Sequence, residues 1–336
     1  MRTIAVAAAV VGALALAGCG GGGNGSDGPL TVYSGREEEL VAPLFEKFTD
    51  ATGIDVEVRY GDSAELAATI AEEGSNSPAD VFFAQDPGSL GAVDAQLEAL
   101  PSETLDRVSA RFRDAEGRWV GTSGRTRVLV YNTGQLSQDE LPASVLQLTE
   151  PAWKNRVGIA PTNASFQAFV TAMRLSLGDE KTEAWLEGMK ANDAKTYEKN
   201  TPIVEAVASG EIDVGLVNHY YLSLVKEEQP DAPIANHLFE AGDPGSLVSV
   251  AGAGVLSSSD QTEDAERFVE FLVSEEAQQF YVDEAEENEY PLVAGIDPPA
   301  GLVPLEEING PDVELTAFGA ELSSTVELLR KTGWLS

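Results

Sequence analysis

Cysteine is almost absent from this chain of 336 residues, which contains only one, Cys19. A single cysteine can form no disulfide within the chain and no cysteine-based metal site. Histidine is scarce as well, and neither His219 nor His237 lies in a His-Glu-x-x-His motif. The segment Gly121-Thr-Ser-Gly124 lacks the second spaced glycine of a nucleophile elbow. These absences argue against an exported hydrolase, and we expect a protein that is not an enzyme.

Basic residues are few compared with acidic ones. The chain has 21 Lys and Arg against 56 Asp and Glu, which gives a net charge of −35. Such a surface disfavours nucleic acid and anionic membrane surfaces as partners. It suits a cationic ligand, but it suits equally an exported protein that must stay soluble. The charge alone therefore does not identify the ligand.

The N-terminus carries a short apolar run behind a single basic residue, Arg2. This run, Ile4–Leu16, has about 13 residues and is too short to span a bilayer. It leads into Leu16-Ala-Gly-Cys19, which resembles the lipobox of bacterial lipoproteins. We predict that residues 1–18 are a signal peptide and that Cys19 is lipidated. Residues 19–29 are then a flexible tether that holds the protein on the outer face of the cell membrane.

The remaining residues, 30–336, alternate between strand-like runs and amphipathic segments, which is typical of α/β proteins. Ala79–Ala84 is predicted from its composition to be a strand buried on both faces, and Glu37–Asp50 places apolar side chains on one helix face. About 307 residues are enough for two domains of ordinary size. Since no linker rich in proline and glycine divides them, a two-lobed chain must cross between its lobes more than once.

Polar side chains follow several predicted strands at their carboxyl ends, where open parallel sheets bind ligands. Gln85 and Asp86 follow one strand, and Asn163 and Ser165 stand before a predicted helix whose N-terminus is able to hold an anion. We expect these side chains to collect at one edge of the fold. The run Asp213–Val217 is followed by Asn218, His219, Tyr220 and Tyr221.

Tyr220 and Tyr221 are adjacent, and phenolates are hard oxygen donors that suit Fe³⁺. Successive side chains of a strand point to opposite faces. Two neighbouring tyrosines therefore share one ion only where the backbone has left the strand. The apolar residues that follow, Leu222, Leu224 and Val225, fit a loop that enters a helix. The alternative is that one ring packs in the core while the other lies on the surface.

A series of short motifs extends over nearly the whole chain. They are Leu30-Thr-Val-Tyr-Ser-Gly35, Pro78-Ala-Asp-Val-Phe-Phe83, Ser123-Gly-Arg-Thr-Arg-Val128, Trp153-Lys-Asn-Arg156, Ala160-Pro-Thr162, Gly210-Glu-Ile-Asp213, Asn218-His-Tyr-Tyr221, Asp243-Pro-Gly-Ser-Leu247 and Tyr290-Pro-Leu292. In order and spacing they resemble those of bacterial ferric-ion-binding proteins, the solute-binding components of iron ABC transporters.

This resemblance implies an α/β, two-lobed periplasmic-binding-protein type II fold with mixed, mostly parallel sheets and crossovers between the lobes. The N-terminal lobe is expected at residues 30–128 with 251–302. The C-terminal lobe is expected at residues 129–250 with 303–336.

The resemblance also implies a set of metal ligands. The paired tyrosine ligands of the family fall on Tyr220 and Tyr221. A histidine ligand of several relatives falls on Glu37, and a glutamate ligand falls on Gln85. Glu37 is either an oxygen ligand or a carboxylate that stabilises a helix N-terminus. Gln85 is a neutral, poorer donor that either ligates the metal or only forms a hydrogen bond, with Asp86 beside it as a substitute.

An anion of the carbonate or phosphate type completes the iron site in this family. Arg125 is an alternative anion holder, as in relatives that bind carbonate, or else part of a salt bridge. We interpret His219 as a supporting or exposed residue. The anion-binding group implied by the resemblance consists of Asn163, Ala164 and Ser165 in a loop, with Asn200, Asn218 and Asp86 around it.

The function implied by the resemblance is the capture of ferric iron by a monomer whose two lobes close around the ion. The protein would deliver the iron to an ABC permease and its ATPase. The alternative is the same fold binding a phosphonate, a polyamine, sulfate or another small solute.

Overall fold

The computed structural model describes residues 28–283 and 288–336. The predicted signal peptide, Cys19 and all but the last two residues of the tether lie outside the described residues. Among the residues that are described, no helix is both long enough and apolar enough to cross a membrane. The predicted alternation of strands and helices, and with it the α/β class, is confirmed.

The described part of the chain forms nine strands and eleven α-helices. The strands are β1 (Leu30–Ser34), β2 (Val56–Tyr60), β3 (Val81–Ala84), β4 (Val120–Asn132), β5 (Val157–Ile159), β6 (Lys195–Thr196), β7 (Val214–Asn218), β8 (Ile234–His237) and β9 (Val248–Val255). The helices are α1 (Glu38–Thr52), α2 (Ser63–Glu73), α3 (Pro87–Ala92), α4 (Ser102–Leu105), α5 (Ala164–Leu177), α6 (Asp179–Ala191), α7 (Asn200–Ser209), α8 (Tyr221–Glu228), α9 (Thr262–Leu272), α10 (Glu275–Asp283) and α11 (Phe318–Lys331).

The long strand β4 joins the two halves of one mixed sheet, in which the strand order is β2-β1-β3-β9-β4-β7-β5-β6. Up to Thr126, β4 pairs antiparallel with β9. From Arg127 onward its antiparallel partners are β7 and β8. On one side β1 pairs in parallel with β2 and β3, and on the other β5 pairs in parallel with β6 and β7. Two sets of parallel strands are thus connected through β9 and β4, which run antiparallel to each other and to the strands beside them.

Apolar side chains form separate cores on the two sides of this connection. One core contains side chains of β1, β3 and β9, and it also includes Leu305 and Phe318. A second core joins Leu129 of β4 to α5, α6 and Leu329 of α11, and a third packs α7 against β7. Residues after 303 thus contribute to the cores of both sides. The lobe boundaries implied by the resemblance stay a proposal.

Helices α3 and α5 begin at capping side chains that directly follow a strand or its turn. Asp86 accepts a hydrogen bond from the backbone N–H of Ser89 at 2.9 Å at the start of α3. Asn163 accepts one from the backbone N–H of Ser165 at 3.0 Å at the start of α5. These caps satisfy donors that a first helical turn leaves unpaired. They also fix polar side chains at the edge of the sheet where the strands end.

The last long helix, α11, contacts both sides of the molecule. Its first turn approaches α3 so closely that a Cβ atom added at Gly319 would lie 2.6 Å from the carbonyl carbon of Gly91. Further along the helix, Oγ1 of Thr325 lies 2.8 Å from Oγ1 of Thr171 on α5. Only glycine allows the first of these contacts, because any side chain would separate the two backbones.

We expect the Gly319→Ala variant to lose about 1–3 kcal/mol of unfolding free energy, the usual cost of overpacking. Helix propensity alone would favour alanine over glycine by about 1 kcal/mol, so the sign of the change separates the two effects. Urea unfolding of the metal-free protein, followed by circular dichroism, measures it. A variant at least as stable as the parent protein would contradict the close packing of α3 and α11.

Candidate functional site

A cavity at the point where β4 changes partners collects most of the side chains predicted to form the site. It encloses about 500 Å³ of empty space, part of which is open to solvent. Nine of the eleven predicted metal- and anion-binding residues line it, and the two exceptions are Glu37 and Asn200. The lining residues are Gln85, Asp86, Arg125, Arg127, Asn163, Ala164, Ser165, Ala168, Asn218, Tyr220, Tyr221, Leu247 and Ser249.

The adjacent tyrosines both reach this cavity because the backbone leaves the strand before them. Strand β7 ends at Asn218, and α8 begins at Tyr221, with Tyr220 already in a helical conformation. The two ring centroids lie 4.5 Å apart with the planes inclined by 37°. Tyr220 is completely buried, whereas Tyr221 is partly exposed. The expected exit from the strand is confirmed, and neither ring is solely a core or a surface residue.

Arg127 is a cavity residue that the sequence reasoning missed. Its guanidinium donates to Oγ of Ser165 at 3.1 Å and to the backbone oxygen of Leu216 at 2.8 Å. It also donates to Oδ1 of Asn218 at 3.3 Å, and the amide nitrogen of Asn218 donates to the hydroxyl of Tyr220 at 3.3 Å. The signal was present, because Arg127 is two residues beyond Arg125 and lies on the same face of β4.

The charge of Arg127 has no carboxylate partner among the described residues. The side chain is 2% exposed, and its Nε atom has no hydrogen-bond acceptor. Burial lowers the pKa of Arg127 to about 10, and the neighbouring phenol groups of Tyr221 and Tyr220 oppose this shift. A buried cation without a counter-charge is costly. The cavity therefore favours negative charge, either from the ionised phenols or from a bound anion.

The predicted anion loop is present at the N-terminus of α5. Oδ1 of Asn163 accepts hydrogen bonds from the backbone N–H of Ser165 at 3.0 Å and from its hydroxyl at 2.5 Å. Behind the loop, the amide nitrogen of Asn200 lies 3.2 Å from Oδ1 of Asn163 and 3.3 Å from Oγ of Ser165. Asn200 thus holds the loop in place and does not line the cavity. The positive end of the α5 dipole favours an anion at this position.

Arg125 lines the cavity but is also held by an ion pair with a residue that the sequence reasoning did not single out. Its Nη2 atom lies 3.0 Å from Oε1 of Glu289. The other carboxylate oxygen lies 3.0 Å from Nη2 of Arg36 and accepts the hydroxyl of Ser123 at 2.6 Å. Burial disfavours the charged carboxylate, but Arg125 and Arg36 outweigh it and lower the pKa of Glu289. The salt bridge that the sequence analysis gave as the alternative role of Arg125 is thus present.

The polar residues of the first half of the chain take different positions. Gln85 lines the cavity, with its backbone N–H donating to Oγ of Ser63 at 2.9 Å. Asp86 also lines it, while its carboxylate accepts the hydroxyl of Ser89 at 2.8 Å, and burial raises the pKa of Asp86. Glu37 is exposed, precedes α1 and makes no side-chain capping bond. Glu37 therefore neither lines the cavity as a ligand would nor forms a capping hydrogen bond at the start of α1.

His219 is buried, so the exposed alternative for this residue is wrong. The backbone N–H of Thr126 donates to its Nδ1 at 3.3 Å. Nε2 therefore carries the proton and donates to the backbone oxygen of Asn288 at 3.1 Å. The imidazole ring also contacts Tyr290, with 4.8 Å between centroids. Burial lowers the pKa of His219 to about 4, so the ring is neutral at physiological pH and supports the loop that carries the tyrosines.

No group of three or more His, Cys, Asp or Glu side chains in the described chain converges to hold a metal ion. The concentration of phenol and amide oxygens around Arg127 therefore sets the chemistry of this cavity. It offers two hard oxygen donors of acidic character, a helix N-terminus and an uncompensated guanidinium. Together they suit a hard cation accompanied by an anion.

A fold of two connected halves with a polar cavity at their junction is typical of solute-binding proteins, and the comparison with known families agrees. The chain belongs to the family of bacterial extracellular solute-binding proteins, whose model matches residues 76–305. The resemblance to bacterial ferric-ion-binding proteins that the motifs suggested is confirmed by the relatives described next.

The major ferric iron-binding protein of Neisseria meningitidis serogroup B is 37% identical over 310 residues, which are 90% of this chain and 92% of the relative. Iron-bound HitA from Pseudomonas aeruginosa superposes with a TM-score of 0.85 at 36% identity, covering 91% of this chain and 99% of that one. The Trichodesmium protein FutA, in complex with iron and citrate, gives a TM-score of 0.82 at 31% identity, covering 92% and 100%. These relatives are binding proteins of the two-lobed type.

The buried neutral His219 predicts how the stability of the metal-free protein depends on pH. Between about pH 6.5 and pH 4 the unfolded chain binds a proton at this residue and the folded chain does not. The unfolding free energy therefore falls as the pH is lowered through this window, by on the order of 3 kcal/mol from His219 alone. We expect His219→Gln to show a shallower pH dependence than the parent protein in urea titrations from pH 7 to pH 4. Equal slopes would contradict the burial of a neutral imidazole.

Proposed function

We propose that this protein captures ferric iron outside the cytoplasm, with the phenolates of Tyr220 and Tyr221 as its principal ligands. The observation that carries the proposal is the convergence of two adjacent phenols on one cavity beside the buried Arg127. Fe³⁺ prefers hard anionic oxygen donors. The ferric iron in the names of the relatives supports the same ligand.

The proposed chemistry requires the loss of two protons. Free tyrosine has a pKa near ~10, so the metal must displace both phenol protons when it binds. Binding then releases protons and weakens as the pH falls. Gln85 supplies a neutral oxygen from the other half of the molecule. An ion held from both sides closes the lobes, in the manner of a hinged clamp.

An anion of the carbonate or phosphate type is proposed beside the metal. The loop Asn163–Ser165 and the guanidinium of Arg127 are its supports, since both line the cavity and both favour negative charge. Arg125 is less available, because Glu289 already neutralises it. The iron and citrate bound by the Trichodesmium relative support an anion next to the iron.

We further propose that the protein acts as a monomer and delivers its iron to an ABC permease with its ATPase. Lipidation at Cys19 would anchor it to the cell membrane through the tether of residues 19–29. The lobes of this clamp are those expected from the resemblance, 30–128 with 251–302 and 129–250 with 303–336. A binding role, and not catalysis, is proposed because the relative from Neisseria meningitidis is an iron-binding protein.

A second candidate is an oxyanion or phosphonate held in the same cavity without a metal. Arg127 and the N-terminus of α5 favour it, because both stabilise negative charge. The two candidates differ in colour, since only Fe³⁺ bound to phenolate gives a visible charge-transfer band.

Replacing either phenol tests the ligand assignment. We expect Tyr220→Phe and Tyr221→Phe each to remove or strongly weaken the visible band of the iron-loaded protein, because each deletes a phenolate donor. Absorption spectra and metal analysis after gel filtration measure band and iron content. The control is Tyr197→Phe, since Tyr197 lies outside the cavity and donates to Glu211. An unchanged band in Tyr221→Phe would refute the assignment.

At Gln85 and Glu37 this chain differs from the ligands that the resemblance implies. One variant at each position tests the proposal, and the two are expected to behave differently. Gln85→Glu adds a carboxylate to the cavity lining, so we expect it to bind Fe³⁺ at least about tenfold more tightly, as an added charge at short range requires. Glu37→Gln removes an exposed carboxylate that does not line the cavity, so we expect little change. Competition with a ferric chelator measures both. A large loss in Glu37→Gln would instead make Glu37 a ligand after closure.

A further inference from the structure

A buried carboxylate, Glu289, holds two arginines behind the wall of the cavity. Arg125 and Arg36 each lie 3.0 Å from one of its oxygens, and the hydroxyl of Ser123 donates to it at 2.6 Å. Glu289 is completely buried, and Arg36 and Arg125 are 3% and 4% exposed. Glu289 itself does not line the cavity, whereas its partner Arg125 does. Any influence on a bound ligand must therefore act through charge and through Arg125.

The ion pair with Glu289 sets how much positive charge the cavity wall presents. Arg125 and Arg127 both line the cavity, and among the described residues Glu289 is a carboxylate partner of Arg125 whereas Arg127 has none. Removing the charge of Glu289 therefore adds one unit of positive charge behind this wall. Asp86 contributes equally in both cases and does not alter this comparison.

We infer that Glu289 determines which class of ligand the cavity accepts, a hard cation with its anion or a free oxyanion. This inference rests on the proposed ferric function and names the residue that makes the site selective. With Glu289 ionised, the charge of Arg125 is offset and a trivalent cation meets less repulsion. Without it, Arg125 and Arg127 form a pair of uncompensated guanidinium groups next to an anion loop, which is a site for phosphate or sulfate.

The test is Glu289→Gln, which removes the charge and keeps the shape of the side chain. We expect Fe³⁺ to bind at least about tenfold more weakly, since an added unit charge acts on a trivalent ion across a poorly solvated wall. We expect the metal-free variant to bind inorganic phosphate at least about tenfold more tightly than the parent protein. Chelator competition measures the first affinity, and isothermal titration calorimetry measures the second.

The matched control is Glu321→Gln, which also removes a carboxylate that forms an ion pair with an arginine. Glu321 lies 3.0 Å from Nη2 of Arg174, near the C-terminal end of α5 and outside the cavity lining. We expect this variant to leave both affinities at the level of the parent protein. A control that changed them as much as Glu289→Gln does would overturn a specific role for Glu289.

A reciprocal variant keeps the inference testable if Glu289→Gln fails to fold. Arg36→Gln lowers the local charge by one and leaves the cavity lining intact, so we expect tighter Fe³⁺ binding and weaker phosphate binding. The double variant Arg36→Gln/Glu289→Gln restores the native charge, and we expect both affinities to return toward those of the parent protein.

Two outcomes would overturn the role of Glu289. One is a parallel loss of iron and phosphate binding in Glu289→Gln, as simple disorder of the wall would produce. The other is a double variant that recovers neither affinity. A parent protein that binds no iron would instead refute the proposed function, and the phosphate arm would still report whether Glu289 controls the binding of anions.

Discussion

The backbone hydrogen bonds of β4 hold both halves of this molecule to one strand, and the cavity is built around the point where they change direction. Arg125 pairs with Ser249 of β9, and Arg127 pairs with Asn218 of β7. Side chains two residues apart share a strand face, so both arginines reach the same cavity. The change of partner strand from β9 to β7 falls between these two residues.

Arg125 and Arg127 differ in the charge of the groups around them. Arg125 is matched by a buried carboxylate, whereas within the described part of the chain Arg127 has only neutral partners and a nitrogen without an acceptor. Burying a cation in this way costs stability. Natural proteins tolerate such costs where binding depends on them. The position of the unmatched charge, next to two phenols and a helix N-terminus, indicates where the function of the molecule lies.

Much of this site could be predicted from local sequence, because ligands collect where strands end. That rule placed Gln85, Asp86, Asn163, Ser165 and the tyrosines together without knowledge of the topology. This rule did not identify Glu289, since its partner Ser123 is 166 residues away in the chain and no local pattern marks the pair. The burial of His219 likewise depends on Thr126 and Asn288, which the chain brings from distant segments. Long-range ion pairs leave no periodic signal for sequence reasoning to use.

The adjacency of Tyr220 and Tyr221 also has a kinetic meaning. Both phenols follow β7 and therefore move with the same half of the molecule, while Gln85 follows β3 in the other half. With the proposed ligand set, separating the halves would remove a weak amide ligand and leave both strong ligands attached to any iron that they held. Opening alone would then expose the iron without releasing it. Release would need a chemical event at the phenolates, such as their protonation, and opening would serve only to make that event accessible.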